Sequence, residues 1–209
     1  MLVMGMREMI LPKVDIDFDE DGHLYTLRGM RMPSVTQIMR PMSLMLYSDV
    51  SDSALYAAAD RGTRAHAQVE AIVKYGVEEW DEDTEGYIRA FQAFQDAYRL
   101  KWLGSEYRTY HKVMRYAGTI DLIADAGADG EVDVIDIKTT AQFHRAMLRT
   151  QLGAYAEALK SWGVKVHGVY GLQLLKDGQY RFERLEADYM TFLHCLGIVN
   201  AMAQDGGTK

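Results

Sequence analysis

Two aspartates and a lysine lie in a segment whose other residues are mostly apolar and strand-forming, and their spacing predicts a shared site. The segment is GTIDLIADAGADGEVDVIDIKTT, in which Gly127-Ala128-Asp129-Gly130 separates two apolar runs. Two such runs around a glycine-containing loop are typical of a β-hairpin. A symmetric loop places Asp121 directly opposite Asp136, and Lys138, two residues further along, shares a face with Asp136.

Opposed carboxylates repel each other, so something must compensate the charges of Asp121 and Asp136. A divalent cation does this, and oxygen ligands at this spacing suit Mg²⁺ or Mn²⁺. Lys138 would stand beside the metal, where its ammonium group can stabilise negative charge on a phosphoryl group or orient an attacking water. The alternative is an ordinary ion pair between Asp136 and Lys138 near a strand end. The opposed Asp121 favours the metal site.

Two predicted helices carry further polar residues one turn apart. In RGTRAHAQVE, His66 can complete the coordination of the metal, and Glu70 can orient a water or His66. The structural alternatives are a core-edge histidine bonded to a backbone carbonyl and a solvated glutamate. On the helix that follows Lys138, Gln151 can bridge the site to a substrate phosphate. For Tyr155, one turn further along, a role at the site and ordinary core packing are equally good interpretations.

These side chains need helices on a sheet to hold them, and the spacing of apolar residues predicts this arrangement. The fold class is α+β: a central mixed β-sheet flanked by helices, with a small N-terminal hairpin element. We expect a single domain over residues 1–209, with the hairpin and a short helix in 1–50 and the core in 51–209. Predicted helices cover 35–40, 53–75, 84–103, 143–162 and a segment from 188; a predicted hairpin covers 23–32, and strands cover 106–115, 117–126, 131–139, 166–175 and 179–185.

The predicted helix ends depend on residues that satisfy or interrupt backbone hydrogen bonding. We expect Ser34 to cap the first short helix and Pro41 to end it. Asp52 or Ser53 is expected to cap the next helix. Gly104 is expected to end the helix that precedes the sheet, because glycine readily adopts the left-handed conformation found after helix C-termini.

The charge balance limits how the protein can hold nucleic acid. A net charge of -7 and a pI of about 5.4 argue against coating DNA by bulk attraction. With few phosphate contacts, aromatic stacking would have to contribute, which favours short single-stranded tracts or frayed ends. Local basic residues are the candidates for substrate contact, with ordinary solvated surface as the alternative: Arg61, Arg64, Arg145 and Arg149.

The chain contains one cysteine, Cys195, which excludes an internal disulfide and any cluster that needs four thiolates from this sequence. We therefore expect no iron–sulfur cluster, and a reducing compartment, the cytoplasm. The apolar stretch 1–14 is too short and too interrupted for a membrane span and lacks a signal-peptide cleavage site. No membrane association is expected.

The four polar patterns together resemble the RecB-like branch of the PD-(D/E)XK nuclease superfamily. In that branch a G-x-x-x-H helix, a G-x-x-D strand, a D-x-K strand and a Q-x-x-x-Y helix follow one another along the chain. The corresponding segments here are Gly62–His66, Gly118–Asp121, Asp136–Lys138 and Gln151–Tyr155, in the same order. Each pattern alone is weak, whereas four in order with these spacings are specific.

A segment near the N-terminus has the sequence HLYTLRGMRMPSVTQIM. It is similar to the start of two kinds of stand-alone nuclease of this branch, those from phages and the mitochondrial genome-maintenance exonuclease. The resemblance implies a restriction-endonuclease-like core and a Mg²⁺- or Mn²⁺-dependent enzyme that hydrolyses DNA from its ends with single-strand preference. The implied metal ligands are His66, Asp121, Asp136 and the Ile137 carbonyl; the candidate catalytic residues are Lys138, Asp121, Asp136 and Glu70; and the implied supporting or DNA-contacting residues are Gln151 and Tyr155.

Two other functions remain open from the sequence. A structure-specific or restriction-like endonuclease would use the same residues. A non-catalytic DNA-binding recombination partner that kept the fold is a further alternative, although a binding module has no need of opposed carboxylates beside a lysine. A protein partner in recombination, repair or replication, and the oligomeric state, are also left open.

Overall fold

The computed structural model describes residues 11–20, 22–48, 51–127 and 130–206. The first ten residues and positions 128 and 129 of the predicted hairpin loop lie outside this description. Near the N-terminus, three short antiparallel strands form a separate sheet: β1 (Asp17–Asp19), β2 (Leu24–Leu27) and β3 (Met30–Met32). The predicted hairpin is confirmed. Arg28 and Gly29 at its turn have φ of 52° and 77°, the positive values that a two-residue hairpin turn requires.

Two short helices follow the small sheet, α1 (Val35–Ile38) and α2 (Arg40–Leu46). Ser34 caps α1 as predicted. Its hydroxyl accepts the N–H of Gln37 at 3.1 Å, and the Gln37 side chain accepts the N–H of Ser34 at 3.0 Å. The expectation that Pro41 ends the helical backbone is wrong. Proline lacks only an N–H that would be unpaired in a first turn, and here it lies in the first turn of α2.

Two longer helices precede the main sheet, α3 (Asp52–Tyr75) and α4 (Glu85–Tyr98). The cap of α3 is Ser51 rather than Asp52 or Ser53, since the Ser51 hydroxyl accepts the N–H of Ala54 at 3.4 Å. The predicted extension of α4 to residue 103 is also wrong. The helix ends with Arg99 in the left-handed region, and Gly104 lies inside a strand that begins at Trp102.

The main sheet is mixed, and its five strands follow one another in the order of the chain. The strands and the helix between them are β4 (Trp102–Tyr110), β5 (Ala117–Asp125), β6 (Glu131–Lys138), α5 (Arg145–Ser161), β7 (Lys165–Leu174) and β8 (Tyr180–Leu185). All neighbours are antiparallel except one pair, β6 and β7, which run parallel because helix α5 connects them. The last helix, α6, spans Tyr189–Gly206.

Helices cover both faces of this sheet, which confirms the predicted α+β class. On one face, α3 and α4 pack through Val69, Phe91 and Phe94 onto β5, β6 and β7. On the other face, α1, α5 and α6 enclose a second core, in which Leu152 and Phe192 are fully buried. Among the helices that the structure describes, none is both long enough and apolar enough to cross a membrane.

The register of the β5–β6 hairpin is the predicted one. Leu122 pairs with Ile135 and Asp125 with Val132, and the N–H of Ala126 donates to the carbonyl of Glu131. Every pair satisfies the same register as the predicted opposition of Asp121 and Asp136. The regular pairing ends with the pair of Leu122 and Ile135, which are the chain neighbours of Asp121 and Asp136. The candidate site lies just beyond this last pair.

Candidate active site

Three side chains from three different elements meet at the end of the β5–β6 hairpin. His66 comes from α3, Glu106 from β4 and Asp121 from β5. The His66 Nδ1 lies 3.5 Å from Asp121 Oδ1 and 3.8 Å from Glu106 Oε1. One possible ligand atom from each of the three lies within 4.8 Å of the others. One nitrogen and carboxylate oxygens converging in this way can hold a divalent cation.

Glu106 is the member of this cluster that the sequence analysis missed. Ser105 pairs with Leu122 and Tyr107 with Ile120, so Glu106 stands opposite Asp121 on the neighbouring strand. Its backbone adopts φ of 47°, in the left-handed region. The predicted strand 106–115 includes Glu106, but its register with the following strand was not predicted. In the structure β4 already ends at Tyr110, and the resulting register places Glu106 opposite Asp121.

Asp136 is the most deeply buried carboxylate of the site. The residue is 1% exposed, and among the described residues neither of its carboxylate oxygens accepts a well-formed hydrogen bond. The Lys138 ammonium forms an ion pair with Asp136 Oδ2 at 2.5 Å. Burial raises the pKa of Asp136 to about 6, against the favourable charge of Lys138. A buried carboxylate that has one cationic partner and a second oxygen, Oδ1, without a hydrogen-bond donor among the described residues suits a site for a cation.

The Asp121 carboxylate serves as a hydrogen-bond acceptor for the backbone of β6 at the point where the regular pairing of β5 and β6 ends. Its Oδ2 accepts the N–H of Ile137 at 2.6 Å, in place of a main-chain partner. Burial disfavours its ionised form, but the charges of His66 and Lys138 hold the pKa of Asp121 below its usual value. Burial likewise disfavours the charged imidazole, yet Asp121 and Glu106 raise the pKa of His66 to about 10. At neutral pH, the metal-free cluster therefore contains an imidazolium.

Two glycines of the four sequence patterns allow close approach at the site. A Cβ on Gly118 would lie 2.7 Å from the Cε1 of the Tyr155 ring, so β5 and α5 pack together only because that side chain is absent. A Cβ on Gly62 would lie 3.3 Å from the Thr139 hydroxyl, where α3 passes the end of β6. The Gln151 amide donates to the Tyr155 hydroxyl at 3.2 Å. The patterns are thus in mutual contact.

The cluster lies in a cleft of about 1520 Å³. The residues that line it include all of the predicted metal, catalytic and supporting residues. Glu70 is among them, but its carboxylate is paired with the Lys74 ammonium one turn along α3. The predicted residues on this lining are His66, Glu70, Asp121, Asp136, Ile137, Lys138, Gln151 and Tyr155.

The four arginines selected as DNA contacts lie elsewhere. Of the described residues that line the cleft, none is Arg61, Arg64, Arg145 or Arg149. Three of them are held by carboxylates: Arg64 by Asp60, Asp81 and Asp83, Arg145 by Glu183, and Arg149 by Glu186. The cations on the cleft lining are Lys13, Lys74, Arg108 and Lys138.

The chain belongs to the PD-(D/E)XK nuclease superfamily. The model of that superfamily matches residues 40–188, which is most of the chain and includes every residue of the four patterns. The family comprises hydrolytic nucleases that use divalent metals, in agreement with the cluster of His66, Glu106 and Asp121. No curated protein matches the sequence.

Several solved structures are similar to this chain at low sequence identity. The crystal structure of SSO0001 is 15% identical, with a TM-score of 0.49, and the match covers 86% of this chain and 79% of that one. An alkaline exonuclease (LHK-Exo) from Laribacter hongkongensis is 14% identical, with a TM-score of 0.42 and coverage of 68% and 78%. LHK-Exo in complex with dAMP is 12% identical, with a TM-score of 0.46 and coverage of 84% and 89%.

Proposed function

We propose that this protein is a Mg²⁺- or Mn²⁺-dependent deoxyribonuclease that hydrolyses phosphodiester bonds from DNA ends and prefers single strands. The observation that carries the proposal is a His–Glu–Asp cluster beside a buried carboxylate, Asp136, whose Oδ2 is paired with Lys138 and whose Oδ1 has no hydrogen-bond partner among the described residues. Three acidic side chains on neighbouring strands repel one another and destabilise the sheet, so a sheet with a purely structural role would not be expected to carry them.

The residues that would hold the metal are His66, Glu106 and Asp121, with Asp136 and the Ile137 carbonyl beside them. A divalent cation bound there would neutralise the scissile phosphate and make water a better nucleophile at neutral pH. His66 must give up its proton to act as a ligand. Glu106 and Asp121 supply the negative charge that this cation needs.

Lys138 is the proposed catalytic lysine. Its side chain is 29% exposed and its ammonium group is paired with Asp136, so a fixed positive charge faces the cleft where a phosphoryl oxygen would gain negative charge. Burial raises the pKa of Tyr155 well above its usual value, so the phenol stays neutral and can donate a hydrogen bond. Gln151 orients that hydroxyl. Glu70 stays a candidate for positioning water once Lys74 is drawn away.

DNA as the substrate is supported by the superfamily and by the cations on the cleft lining. The preference for single strands is supported by the charge balance, because a protein of net charge -7 attracts a duplex poorly at long range. We also propose that residues 1–209 act as one unit, since Tyr25 and Met32 of the small sheet pack against Ala117 of β5.

The test is digestion of 5′- and 3′-labelled single- and double-stranded DNA, and of closed circular DNA, with Mg²⁺, Mn²⁺ or EDTA. We expect metal-dependent degradation of linear single strands, lost in Asp136→Ala. Cleavage of closed circles would replace the exonuclease with an endonuclease that uses the same site. DNA binding without cleavage in any metal would refute the enzyme and favour a binding module.

A further inference from the structure

A group of aromatic rings lines the cleft on the side of the N-terminal sheet. The aromatic wall consists of Phe18, His23 and Tyr25, which line the same cleft as the acidic cluster. The rings of Phe18 and Tyr25 lie 4.5 Å apart at 34°, and the His23 ring stands nearly perpendicular to both, 5.2 and 5.8 Å away. Tyr25 is buried and Phe18 half-buried, whereas His23 is exposed. Two packed rings therefore hold a third one in solvent.

The aromatic wall is tied to the strand that carries the acidic cluster. The Tyr25 hydroxyl is hydrogen-bonded to the Thr119 hydroxyl at 2.8 Å. Thr119 precedes Asp121 by two residues on β5, a distance of about 7 Å along a strand. The Tyr25–Thr119 hydrogen bond and the Tyr25–His23 ring contact connect the aromatic wall to the strand that carries Asp121, so a nucleic-acid strand lying along this cleft can contact both the cluster and His23.

The backbone of His23 adopts a left-handed conformation in the turn between β1 and β2, where its N–H donates to the carbonyl of Glu20. Its φ is 47°, a region that histidine, asparagine and aspartate adopt more often than other residues with side chains. Such a conformation persists where the surroundings hold it, and residues of this kind are frequent at ligand sites. Here the contacts with Phe18 and Tyr25 hold the ring at the edge of the cleft.

Cations stand beside the rings. The Arg108 guanidinium lies 4.9 Å from the centroid of the Phe18 ring and pairs with Glu20 at 3.4 Å. Both partners are largely exposed, so this ion pair is weak and a phosphate oxygen can replace the glutamate. Lys13 is exposed on the same lining and forms no ion pair with any residue that the structure describes.

We propose that the aromatic wall is a subsite that stacks a nucleobase of single-stranded DNA, with His23 as the stacking ring and Arg108 and Lys13 as contacts to the flanking phosphates. The inference rests on the proposed nuclease function and extends it, because it gives the strand preference a physical origin. Every base has a π-face that can stack on an aromatic ring, but a base inside a duplex already uses both of its faces.

The test compares two labelled oligonucleotides, an oligodeoxythymidine and its abasic counterpart, by fluorescence anisotropy in Ca²⁺. Stacking of one base corresponds to about 5–150-fold in affinity, so the wild type should prefer the strand that carries bases by a factor in this range. His23→Asn, which tolerates the left-handed backbone, should lose most of that preference, and His23→Phe should keep it. The matched control is Met30→Ala, 54% exposed on the same small sheet and outside the cleft, which should behave as wild type.

The outcomes separate this subsite from the nuclease proposal. Full retention of the base preference in His23→Asn overturns the subsite. Its loss in a His23→Phe variant that unfolds at the same Tm as wild type also overturns it, because charge or hydrogen bonding would then be responsible. Hydrolysis of bis(p-nitrophenyl) phosphate by the wild type in Mn²⁺ tests the nuclease proposal alone, since that substrate has no base. If the wild type does not hydrolyse this substrate, the nuclease proposal fails, whereas the oligonucleotide affinities still decide whether the aromatic wall stacks a base.

Discussion

Asp136 is a residue at which removing a charge should stabilise the metal-free protein. Its carboxylate is almost fully buried, and burial raises its pKa from 3.8 to about 6. A shift of this size corresponds to about 3 kcal/mol, because one pKa unit is worth about 1.4 kcal/mol. Asp136→Asn keeps the shape of the side chain and removes its charge. In EDTA at neutral pH, we expect the variant to be more stable than wild type by up to about 3 kcal/mol.

The stability difference should depend on pH in a defined direction. Folded Asp136 binds its proton more tightly than the unfolded chain does, so this residue makes wild-type stability fall as pH rises from 3.8 to about 6. Below this window both states carry the proton, and aspartic acid and asparagine should be nearly equivalent. Above it the full difference should be present.

Thermal unfolding measured in EDTA across this pH range tests the argument. For a chain of this length, about 3 kcal/mol corresponds to a rise in Tm of about 6–12 °C. Saturating Mn²⁺ should reverse the order, since the cation stabilises the wild type by mass action and binds the variant less tightly. Asp133→Asn is the control. Asp133 lies on the same strand, pairs with His167 at 2.9 Å and is outside the cleft.

Equal stability of Asp136→Asn and wild type in EDTA at neutral pH would refute the buried-charge argument. A gain that does not grow between pH 4 and 6 would refute its assignment to this carboxylate. If Asp133→Asn gives the same gain, the effect belongs to the negative charge of the whole protein rather than to the site.

Three further outcomes follow from the site geometry. Lys138→Met should lower the DNA cleavage rate by about 10²–10³-fold while Mn²⁺ still raises Tm; an unchanged rate would remove the lysine from the chemistry. Glu106→Gln should weaken Mn²⁺ binding, measured by calorimetry, by about 10–100-fold, whereas Glu20→Gln at the cleft edge should not; equal affinities would exclude Glu106 as a ligand. Arg145→Ala should leave single-stranded DNA affinity unchanged, because its guanidinium is paired with Glu183 outside the cleft; weaker binding would place the DNA path along α5, as the sequence predicts.

The β5–β6 hairpin was predictable because its loop is short and a run of apolar residues lies on each side of it. These two features fix the register, and the register brings Asp121 and Asp136 to the same end of the hairpin. The helix that carries His66 was predictable for a similar reason, since a long apolar stripe defines the face that packs on the sheet.

Glu106 escaped sequence analysis because its position opposite Asp121 depends on the register between β4 and β5, which was not predicted. The start of β4 was missed as well. Trp102 and Leu103 continue the helical spacing of α4, but the Trp102 ring packs against Phe91 and Phe94 and the backbone is already a strand. Local patterns cannot show this choice, because it is made by contacts between α4 and the sheet. The ion pair of Arg145 is a similar case, because its carboxylate partner, Glu183, is distant in sequence.

The contact between Gly118 and Tyr155 restricts how the site can change by single substitutions. The two positions are far apart in sequence but share one volume, because the Cβ that Gly118 lacks would overlap the ring carbon Cε1. Tyr155→Phe would not remove the steric overlap with a larger residue at position 118, because the overlap is with the ring and not with the hydroxyl. Only loss of the ring would do so, and it would also remove the hydroxyl to which Gln151 donates. No single substitution at Tyr155 therefore both accommodates a side chain at 118 and keeps the polar contact in the cleft.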